Sequence, residues 1–267
     1  MDVLRAIVLG IVEGLTEFLP VSSTGHLILV GPLVGADLES PKWQTFIIVC
    51  QVGAIAAVLL YFWRDLLRRL FTVPRGGWGQ HLLVKLLAGV LPALLLGVVV
   101  HDWMERHLEK PVPVAVALMA GAAGIWWIDS RFRHKYHMTL DDVTVQQSLA
   151  IGLIQCISMW PGVSRAAATI LGGMLVGLTP RVATEFSFYL SIPTIFAAGA
   201  YSAYKHRADF TSDLASILLV GTGVAFVVAL AVVAGFLQFV QRRRLTGFAI
   251  YRVILGAAVL LYALLAR

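Results

Sequence analysis

The sequence predicts an all-α, polytopic membrane protein. Three observations predict it: an apolar composition beyond what a soluble domain can bury, six windows of spanning length, and two interrupted apolar segments that resemble each other. Of the 267 residues, 59% are hydrophobic and 13% charged, with a mean hydropathy of +0.84. Only a bilayer suits so much apolar surface. A spanning helix takes about 20 largely apolar residues, and windows near 44–63, 82–101, 112–128, 184–204, 214–238 and 247–265 supply them. Continuous runs of that length mean helices rather than a β-barrel.

The formal charge of +6 and pI near 9.6 would suit a nucleic-acid binder, but the basic residues fall in the gaps between apolar windows and not in a stripe with aromatics. They report topology, and no nucleic-acid partner is expected. Cys50 and Cys156 both sit in apolar stretches and are read as packing residues, not as a disulfide or metal cluster. The apolar run after Arg5 leads directly into Glu13 and Glu17 without a small-x-small cleavage pattern, so it is read as mature structure rather than a signal peptide.

Residues 3–35 and 145–178 are too interrupted to span in the ordinary way. Each has a short apolar helix, a Pro-containing polar break and a second short apolar helix, the pattern of a re-entrant hairpin. Laid over each other at a shift of 141 or 142, LGIVE at 9–13 falls on IGLIQ at 151–155, Pro20 on Pro161, Ser23 on Ser164, and GPLVG at 31–35 on GMLVG at 173–177. Three spanning windows follow each copy. The chain is therefore read as a single membrane domain, 1–267, made of two repeats, about 1–130 and about 145–267, each with one re-entrant hairpin and three transmembrane helices.

An odd number of spans per repeat makes the second copy inverted. The gaps opposite the N-terminus hold Arg64, Arg68, Arg69, Arg75, Arg131, Arg133, Lys135, Arg181 and Arg242 to Arg244, against mainly Lys42, Arg106, Lys110, Lys205, Arg207 and Arg267 on the other side. The positive-inside bias places the Arg-rich gaps in the cytoplasm and both termini outside. The hairpins would then enter from opposite faces and bring their polar tips together near the midplane.

The first tip reads EGLTEFLPVSSTGH, residues 13–26. Glu13 and Glu17, four apart, share a helix face, and a carboxylate at bilayer depth costs roughly 2.5–3.5 kcal/mol on insertion scales. Solvation at the interface is the bland explanation. The functional one is that the pair holds a divalent cation, Mg²⁺ or Ca²⁺, or orients a base. Ser22, Ser23 and Thr24, with Gly25, form a hydroxyl-rich turn before an apolar helix whose N-terminus favours an anion, although each hydroxyl also suits simple capping. His26, three residues after Ser23, is expected within reach of its hydroxyl, the arrangement of an activated nucleophile.

The second tip reads WPGVSRAAAT, residues 160–169. A guanidinium at Arg165 needs a partner there, either a carboxylate such as Glu13 or Glu17 or a phosphate, with Ser164 and the helix N-terminus adding donors. Gln51 is a weaker phosphate-binding candidate that equally suits an interhelical hydrogen bond, and Glu185 suits the cytoplasmic interface. His81, His101, His107, His134, His137 and His206 lie in or beside inferred loops without metal-ligand spacing.

At EGLTEFLPVSSTGH and WPGVSRAAAT the chain resembles the undecaprenyl-pyrophosphate phosphatase family, bacterial membrane enzymes of the bacitracin-resistance type. The likeness runs from end to end, through TFIIVCQVGAIAAVLLYFWR at 45–64, GLIQCISMWPGVSR at 152–165 and EFSFYLSIP at 185–193. It implies a bacterial inner-membrane enzyme that converts undecaprenyl (C55) diphosphate to undecaprenyl phosphate and inorganic phosphate, recycling the lipid carrier of cell-wall synthesis. By that resemblance Glu13, Glu17, Ser23, His26 and Arg165 carry catalysis, with Ser164 beside them. Where the family commonly continues Ser-Arg with Ser-Gly, this chain has Ala166 and Ala167, which puts a phosphate contact there in question.

The expected partners are a polyprenyl diphosphate entering from the outer leaflet and membrane lipid. A homodimer is allowed but not specified. Water or His26 as nucleophile is a rival within the same chemistry. Inverted repeats also suit a secondary transporter or flippase of a lipid phosphate, and a binding scaffold without turnover is a third reading.

Overall fold

The computed structural model describes residues 1–74, 77–108, 110–134, 136–205 and 214–265. Expectations attached to Arg75, Lys135, His206, Arg207 and Arg267, and to the side chains of His101, Arg106 and Lys205, lie outside what is described.

The described residues include ten α-helices, joined by turns and three short 3-10 helices: α1 (Asp2–Thr16), α2 (Ser23–Leu33), α3 (Pro41–Phe71), α4 (Leu82–Leu108), α5 (Pro111–Arg131), α6 (Val145–Gln155), α7 (Arg165–Leu175), α8 (Pro180–Lys205), α9 (Ala215–Arg242) and α10 (Thr246–Leu265). Local signals set their starts. Pro41 and Pro111 open α3 and α5, where a missing N–H costs nothing, and a Thr144–Gln147 capping box opens α6.

Five of the six expected windows, in α3, α4, α5, α9 and α10, are long and apolar enough to cross a bilayer, with window hydropathies of 1.7 to 2.8. This is a multi-pass membrane protein. The sixth window lies in α8, 26 residues long, part of which falls outside the residues whose side chains are described. Its Thr184, Ser187 and Ser191 are fully buried, because α3, α4, α7 and α9 pack around it. A helix walled in by protein escapes the demand for a lipid-compatible surface. Two of these hydroxyls are satisfied locally, Thr184 Oγ1 donating to the Pro180 carbonyl at 2.8 Å and Ser191 Oγ to that of Phe188 at 2.6 Å, while Ser187 Oγ shares a 2.5 Å hydrogen bond with Thr169 Oγ1 of α7.

The short helices pack across the halves of the chain. α1 lies on α9 and α6 on α4, while α2 touches α10 and α7 touches α5. Close approach requires glycine in both cases: a Cβ at Gly10 would sit 2.6 Å from the Gly221 carbonyl oxygen, and one at Gly152 would collide with that of Gly89.

The two tips share a backbone. Ser22 (φ 70°) and Ser164 (φ 73°) are the two non-glycine residues with positive φ among those described, and each caps the helix that follows it. The helices end alike too, with Ala36 N donating to the Gly31 carbonyl at 2.9 Å and Leu178 N to that of Gly173 at 2.8 Å. All these pairs stand 142 apart. Ser22, not Ser23, is thus the conformational counterpart of Ser164: the match at 141 follows the prolines, whereas the fold follows the helix caps.

The Arg-rich ends gather on one side. Arg133 donates to the carbonyls of Val240 at 2.9 Å and Arg243 at 2.8 Å, and Arg69 pairs with Asp141. Arg69, Arg133, Arg181 and Glu185 line one cavity there of about 650 Å³.

Candidate active site

Helical spacing places Glu13 and Glu17 at the end of α1, and the two tips then close over them. Ser23 and Arg165 are each the first residue of a helix, α2 and α7, and both reach the same carboxylate. Ser23 Oγ donates to Glu17 Oε2 at 3.0 Å, and Arg165 Nη2 donates to Glu17 Oε1 at 3.1 Å. The Arg165 and Glu17 side chains are only 12% and 10% exposed, so this pair is held largely away from solvent. The expected union of the first tip with Arg165 is therefore present, with Glu17 as its link.

Arg165 keeps donor capacity. Its Nη1 makes a long bond of 3.4 Å to the Ser187 carbonyl, and its buried Nε has no partner. The face of the guanidinium stands 5.5 Å from the centre of the Phe18 ring, an apolar backing that fixes the fork.

Glu13 is 1% exposed and neither of its carboxylate oxygens has a hydrogen-bond partner. An orphaned buried carboxylate is costly and calls for a proton or a cation. The described residues hold no group of three or more His, Cys, Asp or Glu side chains arranged for a metal.

His26 differs from expectation. Its Nδ1 lies 2.7 Å from the Ser22 carbonyl oxygen and its Nε2 lies 2.6 Å from the Tyr251 hydroxyl. The imidazole thus does not bond the Ser23 hydroxyl. One helical turn brings the two residues to the same side, but the carbonyl at the strained Ser22 captures the ring first.

The remaining candidates divide. Ser22 Oγ accepts from Gly25 N at 3.5 Å, and Ser164 Oγ accepts from Ala167 N at 3.2 Å while donating to the Leu19 carbonyl at 3.4 Å. The second serine therefore ties one tip to the other. Gly25 is buried, and a Cβ there would meet Leu118 at 3.0 Å. Ala166 and Ala167 are buried at 0% and 3%, against the interior rather than facing an opening. Thr24 lies on the first turn of α2 and Gln51 on α3, both half-buried, with no hydrogen bond to the other site residues.

Two residues of α10 escaped sequence reading. Tyr251 holds His26, and fully buried Arg252 gives its donors to the carbonyls of Ala117, Leu118, Pro20, Gly162 and Val163 at 2.9–3.2 Å. Pro20 belongs to the first tip, Gly162 and Val163 to the second, so one guanidinium fastens both. An arginine inside the window 247–265 was the available signal.

Chemically, the cluster offers a hydroxyl on a carboxylate base, a guanidinium with a free donor, two helix N-termini and a second carboxylate. Such a set accepts a phosphoryl group.

The chain as a whole matches known proteins. The family described as bacitracin resistance protein BacA matches residues 6–258. An undecaprenyl-diphosphatase of Caldanaerobacter subterraneus subsp. tengcongensis is 43% identical over 259 residues, 96% of this chain and 94% of its own. One from Pseudomonas fluorescens is 41% identical over 256 residues, covering 96% and 92%. Another, from Acinetobacter baumannii, is 41% identical over 268 residues, covering 98% and 96%. With the family match spanning residues 6–258 and these identities running almost end to end, the chain belongs to the BacA family of bacitracin resistance proteins.

Proposed function

We propose that this protein hydrolyses undecaprenyl diphosphate to undecaprenyl phosphate and inorganic phosphate, returning the lipid carrier to cell-wall synthesis. One observation carries the mechanism: a single carboxylate, Glu17, joins the Ser23 hydroxyl to the Arg165 guanidinium. Glu17 takes the Ser23 proton as Oγ attacks the terminal phosphorus, and the bond from that phosphorus to the bridging oxygen breaks. Arg165 balances charge on the equatorial oxygens, helped by the N-terminal amides of α2 and α7. Water then hydrolyses the phosphoserine, with the Nε2 lone pair of His26 available to receive its proton.

Glu13 fits a divalent cation, because hard cations take carboxylate oxygens and both of its oxygens lack partners. Glu13 and Glu17 would hold Mg²⁺ or Ca²⁺, which would supply charge neutralisation at the diphosphate.

The finer topology belongs to the same proposal. At 11 residues, α2, α6 and α7 reach roughly 16 Å at 1.5 Å per residue, about half the bilayer core. This supports re-entrant hairpins. The reciprocal packing of α1 on α9 and α6 on α4 supports inverted repeats, and the gathered Arg-rich ends support a cytoplasmic face with both termini outside in the inner membrane. The site would then open to the outer leaflet.

Phosphate release from a polyprenyl diphosphate by the purified protein is the test. Turnover by wild type and its loss in Ser23→Ala is the expected result. No release by wild type with Mg²⁺ or Ca²⁺ present sinks the enzyme reading and leaves the lipid-phosphate transporter. For topology, a cysteine placed within Arg242 to Arg244 is expected to resist impermeant thiol reagents in intact cells.

A further inference from the structure

α2 and α10 meet at two rings. His26 and Tyr251 lie nearly parallel, 15° apart with centroids 5.5 Å from each other. A carbonyl oxygen can only accept, so the 2.7 Å contact of Nδ1 with the Ser22 carbonyl places a hydrogen on Nδ1. The neutral imidazole then presents a lone pair at Nε2, to which the Tyr251 hydroxyl donates at 2.6 Å. Both ring nitrogens and one ring face are thereby fixed.

Beyond the Ser22 carbonyl and Tyr251, no other hydrogen-bond partner of the ring is found among the described residues. From α1 the nearest ionisable group is Glu17, which reaches this turn only through Ser23. α5 presents the apolar Leu118 at Gly25. On α10 the neighbouring Arg252 has committed its donors to backbone carbonyls. Tyr251 itself is 44% exposed while the adjacent Arg252 is fully buried, so α10 fastens the tips with one residue and leaves its neighbour partly open.

We infer that Tyr251 is a positioning residue for the reaction: its hydroxyl and ring act with the Ser22 carbonyl to hold His26 in the Nδ1–H tautomer, turned away from Ser23, so that Glu17 alone serves that hydroxyl. The inference rests on the function proposed above and adds the group that orients its imidazole. In the resting protein Tyr251 occupies the lone pair that a water takes up during turnover. Nothing in the sequence motif requires a tyrosine there. The hydrogen bond and the stack do.

Tyr251→Phe keeps the stack and removes only the hydrogen bond; Tyr251→Leu removes both. Full-length protein in lipid nanodiscs, with undecaprenyl diphosphate as substrate, gives kcat and KM, and ¹⁵N-histidine NMR gives the tautomer, with His26→Gln assigning the signal. The expected result is a neutral Nδ1–H signal in wild type that shifts in Tyr251→Phe, with kcat lower by about tenfold, the scale of losing an orienting partner, and KM within twofold. Tyr251→Leu is expected to lose more. An unchanged His26 signal and unchanged kcat in Tyr251→Phe, with His26→Gln inactive, overturns the inference and leaves the proposed function standing. Full turnover by His26→Gln overturns both the inference and the role given to His26.

Discussion

The two tips have one backbone and two chemistries. Each begins its second helix from a serine in the left-handed region, Ser22 or Ser164, and each ends that helix with a glycine at positive φ, Gly35 or Gly177. At the same 142-residue shift, however, Ser23 falls on Arg165, Glu13 on Gln155 and His26 on Ala168. The settings differ as well: α7 is buried from Ala166 to Met174, whereas α2 buries Gly25, Leu27 and Gly31 and leaves Leu33 84% exposed. The lesson is a division of labour. The shared backbone twice delivers a side chain at the first position of a short helix. The first copy spends that position on a hydroxyl beside carboxylates, in the more open tip; the second spends it on a guanidinium set in the core.

Removing the first tip's chemistry is expected to have the largest effect. Glu17→Gln loses both the base for Ser23 and the partner of Arg165, and phosphate release is expected to fall by about 10³-fold or more. Retention of a tenth of wild-type turnover would remove Glu17 as the link. Arg165→Lys tests the second tip, since a point charge cannot replace the fork. Turnover is expected to drop about 10²-fold, read against binding of substrate to the same variant, and an effect below threefold would contradict a transition-state role.

Arg252→Met attacks what both tips share. Buried carbonyls left without donors cost about 1–3 kcal/mol each, so a thermal melt in detergent is expected to show the transition lowered by several degrees, with activity lost in parallel. A normal melt would mean the tips stay together without this guanidinium. The smallest effect sharpens the equivalence of the two caps. Ser22→Ala and Ser164→Ala lose a cap while keeping the strained φ, at about 1 kcal/mol each, whereas the glycine variants lose the cap but relieve the strain. Melting temperatures are expected to rank glycine above alanine at both positions.

The features visible in the sequence were those written in side chains close together. Glu13, Glu17 and Ser23 lie within eleven residues, and a lone arginine after a Pro-Gly turn had few possible partners, so the Glu17–Arg165 pair was within reach. The bond expected between His26 and Ser23 was not found because its competitor, the Ser22 carbonyl, belongs to a backbone conformation that no side chain announces. Arg252 was hidden by averaging: a window hydropathy of 2.2 across α10 conceals one charge, and its acceptors are main-chain carbonyls. The neighbours of α8 were not legible either, because composition does not report packing. Its burial explains its hydroxyls only once the fold is known.

The Arg252 clamp also bears on biogenesis. Both tips are made and threaded well before α10, yet their carbonyls have no guanidinium until that helix enters the membrane. A ribosome paused after α9 holds a chain with every catalytic candidate already made and the tips able to meet through Ser164 with Leu19 and Arg165 with Glu17, but without the Arg252 clamp. The main-chain clamp across the two tips is therefore the last of these links that synthesis supplies.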